Sequence, residues 1–260
     1  MCLALIAFAA HPRYRSIIAA NRDEFHARPA APAAWWAEGF LAGRDLEAGG
    51  TWLGIDRRGR VALLTNVRDP SRRDPDAPSR GAFVPRILAS DAAPSESLPA
   101  LVRDTARYNG YNLIAGDAGG LMWGSNRAAA PVGLGPGIYG VSNALLDTPW
   151  PKVERTKNAF RRWCSAGAVD LQVLFALLHD TERAPDAMLP ATGVTLERER
   201  MLSSPFIVGR DYGTRCSTVV TVEHDGAARF IERSFDAEGH ATGEIDVRFV
   251  IEEPAQRGRP

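Results

Sequence analysis

Cys2 and the run Asn21-Arg22-Asp23-Glu24 are the residues of this sequence whose types could do covalent chemistry together. A thiol at position 2 becomes the first residue once the initiator Met is removed, and a small side chain there permits that removal. The freed α-amine titrates at about pH 8 and the thiol at about 8.5, so the amine can take the thiol proton directly or through a water. No histidine is needed. Such a unit does need a carboxylate or amide to hold the amine, a cation to favour thiolate, and donors for an oxyanion. Alternate side chains of a strand share a face. Asn21 and Asp23 are therefore expected on the site face, with Arg22 and Glu24 forming a structural ion pair on the other. The quartet also reads as a polar strand end with a helix-capping Asp, and Cys2 as a small buried strand residue.

The elements that must bring these residues together can be read from the flanking patterns. Residues 2–10 and 16–20 are short apolar runs separated by "HPRYR", which suits a hairpin of buried strands. Residues 26–40 carry Pro29 and Pro32 and are expected as an irregular surface excursion. Residues 51–67 have a hairpin pattern with a turn at 56–59. Residues 68–80, "RDPSRRDPDAPSR", read either as a solvated loop or as a lid whose arginines meet an anionic substrate. Helices are expected at 81–90, 95–107 with Ser95 as N-cap, 151–165 and 170–179. Further strands are expected near 111–115, 121–123, 138–142, 216–223, 227–234 and 244–251, with 181–212 as loop and one helical turn. Strands at both ends and helices between them give an α+β class, with layered antiparallel sheets covered by helices on at least one face. No repeat and no Gly- or Ser-rich linker divides the chain, so residues 1–254 are taken as one domain and 255–260 as a frayed tail.

Composition removes several functions. Lys+Arg and Asp+Glu both number 31, so there is no net charge to attract nucleic acid or an anionic membrane over long range. Cys2, Cys164 and Cys216 show no C-x-x-C, which favours a reducing compartment and a cytoplasmic protein. The apolar run from Leu3 to Ala10 is too short to span a bilayer, and no Lys or Arg precedes it as in a signal peptide. The five histidines have no metal-ligand spacing, and "GLGPG" at 133–137 is a phosphate loop in appearance only, because a proline interrupts it. Cys164 and Cys216 are assigned to packing. Trp52, Trp123 and Trp150 are assigned to core or rim.

The blocks "MCLALIAF", "IIAANRDEFHARPA", "GGTWLGID", "LLTNVRDP", "YNLIAGD", "GIYGVSNALLDTPWPKVERTK" and "YGTRCSTVV", in this order, closely resemble the NRDE-motif family (Transport and Golgi organisation protein two-like) over most of the chain. The resemblance implies an N-terminal-nucleophile hydrolase-like fold: a four-layer αββα sandwich of two mainly antiparallel sheets flanked by helices. It also implies a distant similarity to cysteine amidases. Carried over by position, Cys2 matches the nucleophile, Asp23 the carboxylate holding the amine, and Asn143 the oxyanion amide. Asn66 is a second polar group and Arg215 matches a late arginine. Asn143 also reads as the cap of a turn, and Arg215 as a structural partner of Asp23 or Glu24. One departure stands out, since the amidases carry an arginine a few residues before the aspartate where this chain has Ala20. Two functions are implied. One is hydrolysis of a carbon–nitrogen amide or related acyl bond of a small amphipathic molecule, without a cofactor. The other is a non-catalytic carrier on the same scaffold, handling haem or acyl-coenzyme A and lipid. Neither involves nucleic acid or stable membrane insertion, and the sequence carries no signal of oligomeric state.

Overall fold

A computed structural model describes residues 2–103 and 107–252. The expected helix end at 104–106 and the tail at 255–260 lie outside the described residues. The N-terminal hairpin is β1 (Cys2–Phe8) and β2 (Tyr14–Phe25), and β2 extends well past the expected residue 20 to carry the whole polar quartet within a strand. With β10 (Gly137–Val141), β11 (Tyr212–Glu223), β12 (Ala227–Phe235) and β13 (Ala241–Val250) they form one antiparallel sheet in the order β10-β1-β2-β11-β12-β13. The second sheet runs through β3 (Ala30–Trp35), β4 (Phe40–Asp45), β5 (Leu53–Asp56), β6 (Val61–Asn66), β7 (Tyr111–Asp117), β8 (Gly120–Ser125) and β9 (Val132–Leu134) in chain order. It is an antiparallel meander in which short connections join most neighbours, while β6 and β7 are joined by the long segment 67–110.

The strand period of two sorts the side chains into layers. In β1, Ala4 and Ile6 point toward the second sheet and pack with Ile18, Leu41, Ile55, Leu63 and Val220. Leu5 and Ala7 point the other way, against Phe160, Trp163, Leu174 and Leu178. Those four belong to α3 (Pro151–Ser165) and α4 (Gln172–Leu178). On the far side of the second sheet, Phe40, Ala62 and Leu113 pack on Phe83, Val84, Ile87 and Leu98. These come from α1 (Phe83–Leu88) and α2 (Pro94–Arg103). The result is the expected αββα stack, built because each sheet has two apolar faces to cover. The helix α3 begins with Pro151, whose missing N–H costs nothing in a first turn, and buries Val153, Thr156, Phe160 and Trp163 on one face. The last helix, α5 (Leu196–Met201), is the helical turn expected in 181–212, and Thr195 caps it by accepting from the Arg198 N–H.

One expectation is corrected, and one strand has no counterpart in the sequence reading. The segment 26–40 is not irregular: Ala30–Trp35 forms an edge strand in which Pro32 is exposed, the place where a missing donor is tolerated, and the register shifts between Ala31 and Ala34. The strand β9 has only 3 residues and no strand pattern of its own; its pairing with β8 defines it.

Candidate active site

The register of the N-terminal hairpin places Cys2 directly opposite Arg22, and Arg22 is directly opposite Cys216 of β11. Paired residues share a face, so Cys2, Arg22 and Cys216 form a row across three strands, facing the second sheet. Asn21 and Asp23 face the helices instead. The expected site face is therefore corrected: Arg22, not Asn21, shares the face of the thiol. Asn21 is buried and spent on structure, its Nδ2 donating to the carbonyls of Leu178 at 2.8 Å and Pro205 at 2.9 Å, and its Oδ1 accepting from Ser217 at 2.6 Å. Nor is Arg22 paired with Glu24. Its Nη2 lies 3.6 Å from Asp45 and its guanidinium covers the Trp52 ring at 4.5 Å. Glu24 sits toward the open end of the strand, where its Oε1 accepts the Phe25 N–H. Trp52 is seated by a missing side chain, because a Cβ on Gly43 would lie 2.4 Å from its ring.

Asp23 reaches the site although it points toward the helices, because it lies at the end of the sheet beside residue 2. Its Oδ1 accepts from the Thr214 hydroxyl at 2.7 Å, and its main-chain carbonyl accepts from the Tyr212 hydroxyl at 2.9 Å. A bulge makes this possible. Thr214 pairs with Asp23 and Cys216 with Arg22, leaving Arg215 as the extra residue. The Arg215 side chain is thrown away from the thiol. Its Nη1 donates to the carbonyls of Phe25, His26 and Arg28 at 2.9, 3.3 and 3.0 Å, so it fastens the β2–β3 turn rather than Asp23 or Glu24.

Cys2, Arg22, Asp23, Glu24 and Asn66 line one cleft of about 390 Å³, whose outer wall is Arg73, Ser79 and Arg80. The 68–80 segment is thus a wall of the cleft with largely exposed tips. Its anchor is backbone against backbone: the Thr51 N–H donates to the Gly81 carbonyl at 3.0 Å, and a Cβ on Gly50 would lie 2.4 Å from the Gly81 carbonyl carbon. Arg80 donates to the Gly110 carbonyl at 2.8 Å, and its charge is felt by Glu24 and Cys2. Asn143 is fully buried and stands behind the cleft. Its Nδ2 donates to the Asn66 carbonyl at 2.9 Å, so of the two asparagines Asn66 meets the open space and Asn143 braces it. A larger cavity of about 580 Å³, beside Arg13, Arg229 and Phe249, has no cysteine in its lining.

Behind Asp23 lies a set of buried charges that the sequence did not single out. Lys152, in the first turn of α3, is only 2% exposed, and its Nζ has no hydrogen-bond partner. Burial pushes its ammonium down to about 8, against the support of Asp23, Cys2 and Glu199; Arg68 pushes it further down. Arg68 and Glu199, both buried, pair at 2.6 Å. Burial raises the Asp23 carboxyl, while Lys152 and the Thr214 hydroxyl pull it back. Burial also raises the Cys2 thiol, as does the Asp23 charge, whereas Arg22 and the Asp23 main-chain N–H favour thiolate. Cys164 and Cys216 behave as packing residues, with burial pushing Cys164 up to about 12 and Cys216 well above its usual range. Lys152 and Thr214 are both within quoted blocks, but no spacing connects them to Asp23, because sheet pairing and helix docking do so. At Ala20, where the amidases carry arginine, the methyl group packs in the inter-sheet core.

Among the described residues, no group of three or more His, Cys, Asp or Glu side chains could hold a metal ion, and no helix is long and apolar enough to cross a membrane.

A family model described as Transport and Golgi organisation 2 matches residues 1–237. Transport and Golgi organization protein 2 homolog of Bos taurus is 39% identical over 257 residues, covering 90% of this chain and 93% of its own. The Homo sapiens homolog is 37% identical with the same coverage. Among solved structures, the mutant C2A conjugated bile acid hydrolase from Clostridium perfringens superposes with a TM-score of 0.53 at 10% identity, covering 95% of this chain and 92% of that one. At that identity the likeness bears on fold, and the shared fold is that of an N-terminal-nucleophile hydrolase.

Proposed function

Because the chain belongs to the Transport and Golgi organisation 2 family and has an N-terminal-nucleophile hydrolase-like fold, we propose that it is a cysteine hydrolase of a carbon–nitrogen amide or related acyl bond. The observation that carries this reading is the shared cleft: Cys2 opens onto it, Asp23 stands at its back, and Asn66 lies across from them. With Met1 removed, the residue 2 amine takes the thiol proton as sulfur attacks the carbonyl carbon. The new C–S bond forms a tetrahedral oxyanion on the Asn66 side, with Asn143 fixing the Asn66 main chain. Collapse breaks the C–N bond, and the proton held by the amine passes to the leaving nitrogen. Water then attacks the thioester with the same amine as base, releasing the carboxylic acid and restoring the thiol. Asp23 holds the amine throughout. Three unpaired cysteines suit a reducing compartment such as the cytoplasm.

The charged wall also supports the carrier reading for an acyl-coenzyme A or lipid ligand, whose phosphates Arg73 and Arg80 would meet. Haem fits less well. Of the side chains that commonly ligate its iron, the cleft lining offers Cys2 alone among the described residues, and the walls around it are mostly charged.

The test is release of free amine from a panel of N-acyl amino acids and N-acyl amines, with intact mass recorded on the same protein. The hydrolase reading expects Met1 to be absent, turnover in wild type, and loss of at least about 10³-fold in Cys2→Ala. Turnover that survives in Cys2→Ala, or quantitative retention of Met1, rejects it. Saturable acyl-coenzyme A binding without turnover would select the carrier.

A further inference from the structure

Arg22 lies opposite Cys2 across β1 and β2 and shares its face, so its side chain leaves the sheet beside the nucleophile. That side chain is only 6% exposed. A buried guanidinium is tolerated where acceptors meet its N–H groups, and here they fall short. Nη1 has no hydrogen-bond partner, and Nη2 lies 3.6 Å from Asp45, too far for a hydrogen bond. Both oxygens of Asp45 are already engaged: Oδ2 accepts from Arg28 Nε at 2.7 Å, and Oδ1 accepts the Glu47 and Ala48 N–H groups at 3.0 and 3.1 Å. Glu232, which also feels the Arg22 charge, accepts the Ala33 N–H at 2.8 Å and the Thr218 hydroxyl at 3.3 Å.

The ring under the guanidinium repeats the pattern. Trp52 Nε1 is buried without a partner, and the guanidinium carbon of Arg22 lies 4.5 Å from the ring centroid. A buried indole N–H ordinarily finds an acceptor. Two stacked side chains thus hold unserved donors, one of them cationic, and both line the cleft onto which Cys2 opens. They also border a second cavity of about 230 Å³ beside Cys216 and Glu232, so open space lies on two sides of the pair. A post that only joined the sheets would need neither a fork of donors nor an indole nitrogen.

We propose that Arg22 and Trp52 form an anion subsite beside the nucleophile, which takes a carboxylate carried by the substrate close to its scissile amide. A planar guanidinium matches the two oxygens of a carboxylate, and the indole N–H adds a donor that a phenyl ring lacks. The carboxylate can belong to the amine half, as in an N-acyl amino acid, or to the acyl half, as in the monoamide of a dicarboxylic acid. The chemistry recognised is the same. The inference deepens the hydrolase reading and rests on it for calling the ligand a substrate, but binding is measured without turnover.

The experiment is titration calorimetry on Cys2→Ala, with two matched pairs of ligands. N-hexanoylglycine is compared with N-hexanoylglycinamide, and the mono-butylamide of glutaric acid with its neutral carboxamide counterpart. In at least one pair the acid should bind about 30-fold tighter than its neutral isostere, and that pair assigns the side of the amide that Arg22 faces. Adding Arg22→Met should bring the preference below about 3-fold, and Arg22→Lys, which keeps the charge without the fork, below about 10-fold. Trp52→Phe, which keeps a ring under the guanidinium, should lower it about 3-fold. Arg73→Met, on the exposed outer wall, should change it by less than about 2-fold. Equal affinities of acid and isostere in both pairs, or no binding of either acid below about 10 mM, overturns the proposal. So does a preference that survives Arg22→Met, or one that Arg73→Met removes as fully. If Arg22→Met does not fold, Arg22→Lys and Trp52→Phe decide, and an unchanged preference in both rejects the subsite. A purely structural Arg22 would lower the melting temperature and leave the ratio of affinities untouched. Absent turnover in the wild type, with the carboxylate preference intact, would sink the hydrolase reading alone.

Discussion

The two faces of the β1–β2 hairpin carry the same kinds of charge under opposite conditions. On the cleft face, Arg28 is shared between Asp45 at 2.7 Å and Glu47 at 2.9 Å, and Arg22 reaches the same Asp45 at 3.6 Å. Solvent touches this group, and partners can be exchanged at small cost. On the helix face, Asp23, Lys152, Arg68 and Glu199 are almost wholly removed from water. There each charge is fixed in place, and what it does to its neighbours is done through a weakly screened field. The comparison separates two environments that the sequence gives to neighbouring residues, Arg22 and Asp23: the front face is open to a ligand, and the rear face holds its charges away from water.

Three measurements would break or sharpen that division. The largest effect is expected at Arg68→Met, which strands Glu199 as a buried charge and should cost about 3–5 kcal/mol of stability by urea unfolding. A loss below about 1 kcal/mol would mean that the rear face is wetter than its packing indicates. Next comes pH. The Lys152 ammonium is depressed from its ordinary 10.5 to about 8 in the folded chain, so between those values the unfolded chain binds more protons. Stability should therefore rise with pH across that window, the penalty being complete below about 8 and gone near 10.5. The difference between wild type and Lys152→Met should change by about 3 kcal/mol over the range. A difference independent of pH would place the amine in contact with water. The smallest effect is expected on the front face, where Arg28→Met should cost no more than about 1 kcal/mol and less in high salt, measured by the same unfolding.

Much of the layered fold is legible in the residues themselves. The apolar run of 2–8, the turn signal at 56–59 and the Pro151 start of α3 all depend on neighbours in the chain, and all three appear as expected. The site was legible in type but not in orientation. Cys2, Asp23 and Asn66 come together at one cleft, yet the choice between Asn21 and Arg22 turned on the register of two strands, which a single strand's period cannot supply. The assumed Arg22–Glu24 pair failed because Arg22 finds Asp45 and Trp52 on another sheet. Arg215 lies away from Asp23 and Glu24 because a bulge, invisible in "YGTRCSTVV", turns it out of the row. Lys152 carries no signal in the sequence for a related reason: its surroundings are set by the docking of α3 on β1 and β10.

The row formed by Cys2, Arg22 and Cys216 has a further consequence, for chemistry under oxidative stress. With strands about 4.7–4.9 Å apart, the two cysteines are separated by on the order of 10 Å, beyond the roughly 7 Å that a disulfide can bridge. Cys164 is in the helix layer on the opposite side of the sheet. A sulfenic acid formed on Cys2 therefore finds no resolving thiol in its own chain, and its recovery must come from a small thiol diffusing into the cleft.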